Sequence, residues 1–139
     1  MIGLVAALAL SAASPGNGAG PLEARLRDSA AAAVALQGPL DGAWTLYDAR
    51  RHQLYRLQIS DPPPGSGPLD AAWRGPGAST TIGGVTSIGL GHGQLTIVLT
   101  PDRGSESVTL GLTETRHGAW AGWMTSGRGR HRVALRRSR

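Results

Sequence analysis

From Leu40 onward the chain repeats one short pattern, an apolar residue at every second position followed by a cluster of Gly, Pro, Asp or Arg. Tyr55, Leu57 and Ile59 alternate with Arg56 and Gln58, and Leu69, Ala71 and Trp73 alternate with Asp70, Ala72 and Arg74. The same alternation carries Leu95, Ile97 and Leu99, then Val108, Leu110 and Leu112, and finally Val133 and Leu135. A period of two puts every apolar residue on one face of an extended chain, which predicts half-buried strands. Turn clusters fall at 49–52, 61–68, 75–79, 91–93, 101–104, 116–118 and 127–130. Seven short turns separate eight strands, at about 12 residues per repeat, the spacing of all-β sandwiches and barrels. Strands joined by short turns pair antiparallel, and closing them into an up-and-down barrel removes the exposed edges. The expected fold is therefore an all-β, eight-stranded antiparallel up-and-down barrel, with a small β-sandwich as the alternative. The Gly-rich fourth strand (Ile82-Gly83-Gly84-Val85, then Gly89) marks the place for a sharp bend.

Composition limits what such a chain can do. Its 139 residues make one domain, and 40 % hydrophobic residues supply a core. Cysteine is absent, which removes disulfide scaffolds, thiolate metal sites and thiol nucleophiles. No apolar run reaches the roughly 20 residues of a spanning helix, so no transmembrane segment is expected.

Residues 1–13 read MIGLVAALALSAA. An apolar run leads into Ser11-Ala12-Ala13, a small-x-small ending, and the stretch is expected to be a cleaved signal peptide. The mature protein is then periplasmic or secreted. Residues 14–38 hold a Gly/Pro linker and a short helix. Pro21 suits a first helical position, Glu23 favours the positive end, and Gly38-Pro39 ends the segment. Residues 39–139 form the barrel domain, with an Arg-rich C-terminal strand.

The entry Gly42-Ala43-Trp44, a second strand at Leu54–Ile59, a Gly-flanked middle and Trp120-Ala121-Gly122-Trp123 before a basic last strand resemble lipocalin-like and avidin-like calycin barrels. The layout also resembles the exported barrel inhibitors of serralysin-type metalloproteases, whose mature domains begin with a similar Gly-x-Trp strand. The first resemblance implies an eight-stranded barrel holding a small ligand. The second implies a protease partner, engaged by the segment from Ser14 to Pro21.

No motif of nucleophilic, phosphate-loop or zinc-helix chemistry is present, and the chain is expected not to be an enzyme. Gly89-x-Gly91-x-Gly93 sits between strands with no following helix, so it reads as a hairpin, not a dinucleotide loop. Alternating turns put His92 and His117 at one rim with Asp61 and Glu114, and His52 and His131 at the other. None has tight ligand spacing, so no metal and no cofactor are expected.

All 14 basic residues are Arg, and net charge is +5. Six of these Arg lie between Arg128 and Arg139, leaving eight against nine acids elsewhere. No aromatic other than His131 interleaves the basic end, so no nucleic acid is expected. The 49–52, 75–79, 101–104 and 127–130 turns share one rim and gather Arg50, Arg51, Arg74, Arg103, Arg128 and Arg130 into a basic mouth. Trp44, Trp73 and Trp120 share the inward alternation, and Trp123 faces the other way. The sequence thus points to an exported, non-catalytic binding barrel for a small apolar or amphipathic anionic ligand. Trp44, Trp73 and Trp120 would contact that ligand, with Arg50, Arg51 and Arg128 near the mouth. The alternative is an inhibitor of a secreted or periplasmic protease.

Overall fold

The computed structural model describes residues 20–76, 81–101, 105–116 and 118–139. The expected signal peptide, most of the linker and His117 lie outside the described residues. Two units divide the chain, Met1–Ala35 and Leu36–Arg139. In the first, helix α1 runs Pro21–Leu36, with Pro21 at its start and Glu23 in its first turn, where the helix dipole favours an acid. The apolar stripe is narrow, and Leu22, Leu26 and Leu36 are all exposed. No helix among the described residues is long and apolar enough to cross a membrane.

The second unit is one antiparallel sheet. Its strands are β1 (Gly42–Asp48), β2 (Gln53–Ser60), β3 (Asp70–Arg74), β4 (Ile82–Gly84), β5 (Ser87–Gly91), β6 (Gln94–Leu99), β7 (Val108–Glu114), β8 (Trp120–Ser126) and β9 (Gly129–Arg137). Their order is β4-β3-β2-β1-β9-β8-β7-β6-β5. Every sequence neighbour except β4 and β5 pairs as a hairpin, and β1 joins β9 to link the two halves.

There are nine strands rather than the expected eight because the Gly-rich fourth strand is split. Val85 N–H donates to the Ala71 carbonyl on β3, and one residue later Thr86 N–H donates to the Val98 carbonyl on β6. A single run of chain thus leaves one edge of the sheet and joins the other. The sheet curls as an up-and-down meander with its seam at Val85-Thr86, the bend that the glycines allow.

Alternation places the core as the sequence requires. Leu46, Leu57, Ile59, Leu95, Ile97, Leu99, Leu110, Leu112 and Leu135 are all buried on the concave face, with Trp44, Trp73 and Trp120 among them. Leu54 is an extra residue in β2, because Leu46 pairs with Tyr55 and Tyr47 with Gln53. This bulge lets Leu54 and Tyr55 both pack against the core. The Arg-rich end is not a solvated tail. It is β9, an interior strand of the sheet, with Val133 and Leu135 inward and Arg132 and Arg136 outward.

Candidate functional site

One end of the barrel is shut by the segment before β1. Leu40 is fully buried, and its carbonyl accepts a 2.7 Å hydrogen bond from Trp44 Nε1. Asp61 Oδ2 accepts from Leu40 N–H at 3.0 Å, and Asp41 Oδ1 accepts from Asp61 N–H at 3.1 Å. Arg137, inward by parity on β9, donates from Nη1 to the Asp41 carbonyl at 2.6 Å and from Nη2 to the Pro39 carbonyl at 2.7 Å. Its guanidinium also lies 4.6 Å from the centroid of the Trp44 ring. Gly42 has φ +118°, and a Cβ there would come within 2.9 Å of Arg137 Nη1. The glycine of Gly42-Ala43-Trp44 is thus required by its backbone angle, and a side chain there would also shift the tip of Arg137.

Inside, Trp44, Trp73 and Trp120 are 2 %, 4 % and 4 % exposed. Trp73 meets Tyr55 edge-on at 5.8 Å, and its indole lies against Gly83, directly opposite on β4. Trp73 Nε1 is buried without a hydrogen-bond partner among the described residues. The three Trp are therefore packed core residues, and one of them carries an unpaired donor.

At the other end the β1–β2 turn faces the β8–β9 hairpin. Between the β1–β2 turn and the β8–β9 hairpin lies a cavity of about 630 Å³ with Arg50, His52, Arg128 and His131 around Leu54 and Met124. Asp48 organises this turn. Its Oδ1 accepts from Arg50 N–H and His52 N–H, each at 2.8 Å, and its Oδ2 lies 3.1 Å from His52 Nδ1. Loss of solvent pushes the carboxyl up, but the backbone donors of His52 and Arg50 and the His52 side chain together hold it below its ordinary 3.8. The turn also keeps Arg51 at φ +67°. Of the residues expected near the mouth, Arg50 and Arg128 line this cavity, whereas Arg51 lines a different one.

That second concavity is larger, about 1270 Å³, and lies on the outer face of β3, β2, β1 and β9. Its floor is made of small outward side chains such as Ala43, Thr45, Ala72 and Ala134, and its walls include Arg56, Arg74, Arg132 and Arg136. Sequence reasoning placed Arg74 at the rim and passed over Arg56 and Arg136 as solvated outward positions. The available signal was parity, since Arg56, Arg74 and Arg136 each alternate with buried residues on their strands.

Of the expected histidine rim, His117 lies outside the described residues. His92 sits at φ +51° in the β5–β6 turn. No group of three or more metal-ligating side chains is close enough to hold an ion among the described residues. Comparison of the chain with protein-family models, curated proteins and solved structures finds no match.

Proposed function

We propose that the protein is a non-catalytic binding barrel that takes a small amphipathic anion at its open mouth. The observation that carries this reading is the pairing of cationic and apolar groups in one cavity. Arg50 and Arg128 stand over Leu54 and Met124, so an acid head and an apolar body would be met in one place. The opposite end, sealed by Leu40 and the Arg137–Trp44 clamp, supports a one-mouthed barrel of the kind implied by the lipocalin-like resemblance. None of the three Trp lines this cavity, so the ligand need not displace them.

Calorimetric titration with laurate and with dodecyltrimethylammonium tests the proposal, because the two share a chain and differ in the sign of the head. Laurate binds, the ammonium does not, and Arg50→Glu with Arg128→Glu weakens laurate by about tenfold or more, the equivalent of roughly 1.4 kcal/mol. Equal binding of both amphiphiles, or no response to the charge reversals in a folded variant, overturns the reading.

A further inference from the structure

The outer trough has a feature that a solvated surface does not explain. Register puts Arg56 directly opposite Arg74, and Thr45 between Arg56 and Arg136. Like charges facing each other across neighbouring strands destabilise a sheet. Among the described residues no carboxylate pairs with them. The ion pairs among the described residues are Glu23 with Arg27 and Asp48 with His52, and neither involves these arginines. Asp48, the one acid lining the trough, is already engaged by His52. Gln53 Nε2, also at the trough, is enclosed without an acceptor. Thr45 is 5 % exposed on the floor, its hydroxyl committed to Ser138 Oγ at 2.7 Å. The trough therefore presents unmatched donors above a floor of methyl groups.

We propose that this outer trough docks an extended acidic peptide segment of a partner protein, its carboxylates held by Arg56, Arg74 and Arg136 and its small apolar side chains lying on Ala43, Ala72 and Ala134. The arginine fork matches a planar carboxylate with two parallel hydrogen bonds. A flat lipid surface does not enter a recessed floor, and the outward aromatic on that floor, Tyr47, stands among alanine methyls where a nucleic acid calls for successive stacking partners. The nearest exposed indole, Trp123, already carries Arg130 at 4.4 Å and Arg132 at 5.3 Å. It brings an aromatic to the basic strand, but one already engaged by cations, where nucleic-acid binding calls for a base to stack. The proposal uses residues separate from the mouth and does not depend on the reading given there.

The test is fluorescence anisotropy with a fluorescein-labelled decapeptide alternating Asp and Val, at low salt, on the full chain. Saturable binding is expected, weakened about tenfold or more by Arg56→Glu with Arg136→Glu and little changed by Arg116→Glu, which alters charge elsewhere. Arg74→Glu should also weaken binding yet raise Tm by about 1–5 °C, because it turns a repelling pair into an attracting one. Arg74→Gln gives a gentler version of the same comparison. Absence of saturation by about 1 mM peptide, the weak end of specific recognition, overturns the proposal. So does equal loss in Arg116→Glu, which would mean net charge alone, or tighter binding of oligothymidylate or phosphatidylglycerol vesicles with the same arginine dependence.

Discussion

Replacing Arg137 by Met removes the fork that ties β9 to the segment before β1, while keeping an apolar stem over Trp44. Two short hydrogen bonds are lost, to Asp41 and Pro39 carbonyls at 2.6 and 2.7 Å, together with a cation–π contact at 4.6 Å. The side chain is exposed, so each bond is taken at about 0.5–1.5 kcal/mol, at the level of neutral pairs. The ring contact adds about 0.5–1 kcal/mol at an exposed site. The expected loss is therefore about 1.5–4 kcal/mol. For a unit of roughly 100 residues, each kcal/mol moves Tm by about 4–8 °C, which puts the fall at about 6–30 °C. Lys retains the charge but not the fork, and should recover less than half of that loss.

Thermal unfolding followed by near-ultraviolet circular dichroism measures the effect, since Trp44 reports on the same end of the barrel. Gly42→Ala makes the reasoning sharper. It carries strain of about 1–3 kcal/mol at φ +118° and also pushes on Arg137 Nη1, 2.9 Å from the new Cβ. In the Arg137→Met background only the strain remains, so the two changes should be clearly less than additive. A fall in Tm below about 2 °C for Arg137→Met, full rescue by Lys, or simple additivity with Gly42→Ala would refute the clamp.

Three further outcomes follow from the core and the mouth. Leu110→Ala, at 0 % exposure between β6 and β8, should destabilise by about 2–5 kcal/mol in urea unfolding, and a value below 1 would mean that the site collapses or is loosely packed. Gly83→Ala places a Cβ 2.9 Å from the Trp73 indole and should lower stability by about 1–3 kcal/mol with a shift in Trp fluorescence, whereas no change in either would place the ring elsewhere. Because Asp48 is held below 3.8, the stability it adds to the β1–β2 turn is present above that value and is lost as pH falls through the lowered one. Exchange of the Arg50 and His52 amides should therefore quicken only below about pH 4, and Asp48→Asn should remove that dependence; a midpoint at or above the ordinary value sinks the assignment.

Most of the barrel was legible in the alternation. Ala71 and Trp73, Leu95 to Leu99, Val108 to Leu112, and Val133 with Leu135 all bury the face that a period of two assigns to them. The bend was legible too, from Gly83, Gly84 and Gly89, but the seam was not. Whether one strand of ten residues hands over between neighbours at Val85-Thr86 depends on which partners its N–H groups find, and that is a long-range choice. The clamp was hidden for a similar reason. Gly42 and Arg137 lie far apart in sequence, and only the pairing of β1 with β9 brings the φ +118° glycine under the guanidinium. The site residues were read by rim and not by face. Arg50 and Arg128 line one cavity together, whereas Arg51 lines the other with Arg56 and Arg136, which a reading by rim does not single out.

Parity along β9 shows why a basic C-terminal strand is more than solubility. Arg137 points inward and is tied to main-chain carbonyls, so its charge serves the fold. Arg130 and Arg132 lie over Trp123, within 4.4 and 5.3 Å of the ring centroid. Arg136 faces outward beside Thr45 and forms no ion pair among the described residues. Four arginines within eight residues thus have three different environments, fixed by whether each number is odd or even and by which strand lies alongside. If charge were present only to keep the protein in solution, acids on β1, β2 or β3 would be free to pair with it, and the register offers Arg56 and Arg74 instead. A sheet that tolerates two facing arginines in its free state gives up some stability. That loss is recovered when an anion lies between them, which is why the stability of Arg74→Glu and its peptide affinity must move in opposite directions if the outer face is a binding surface.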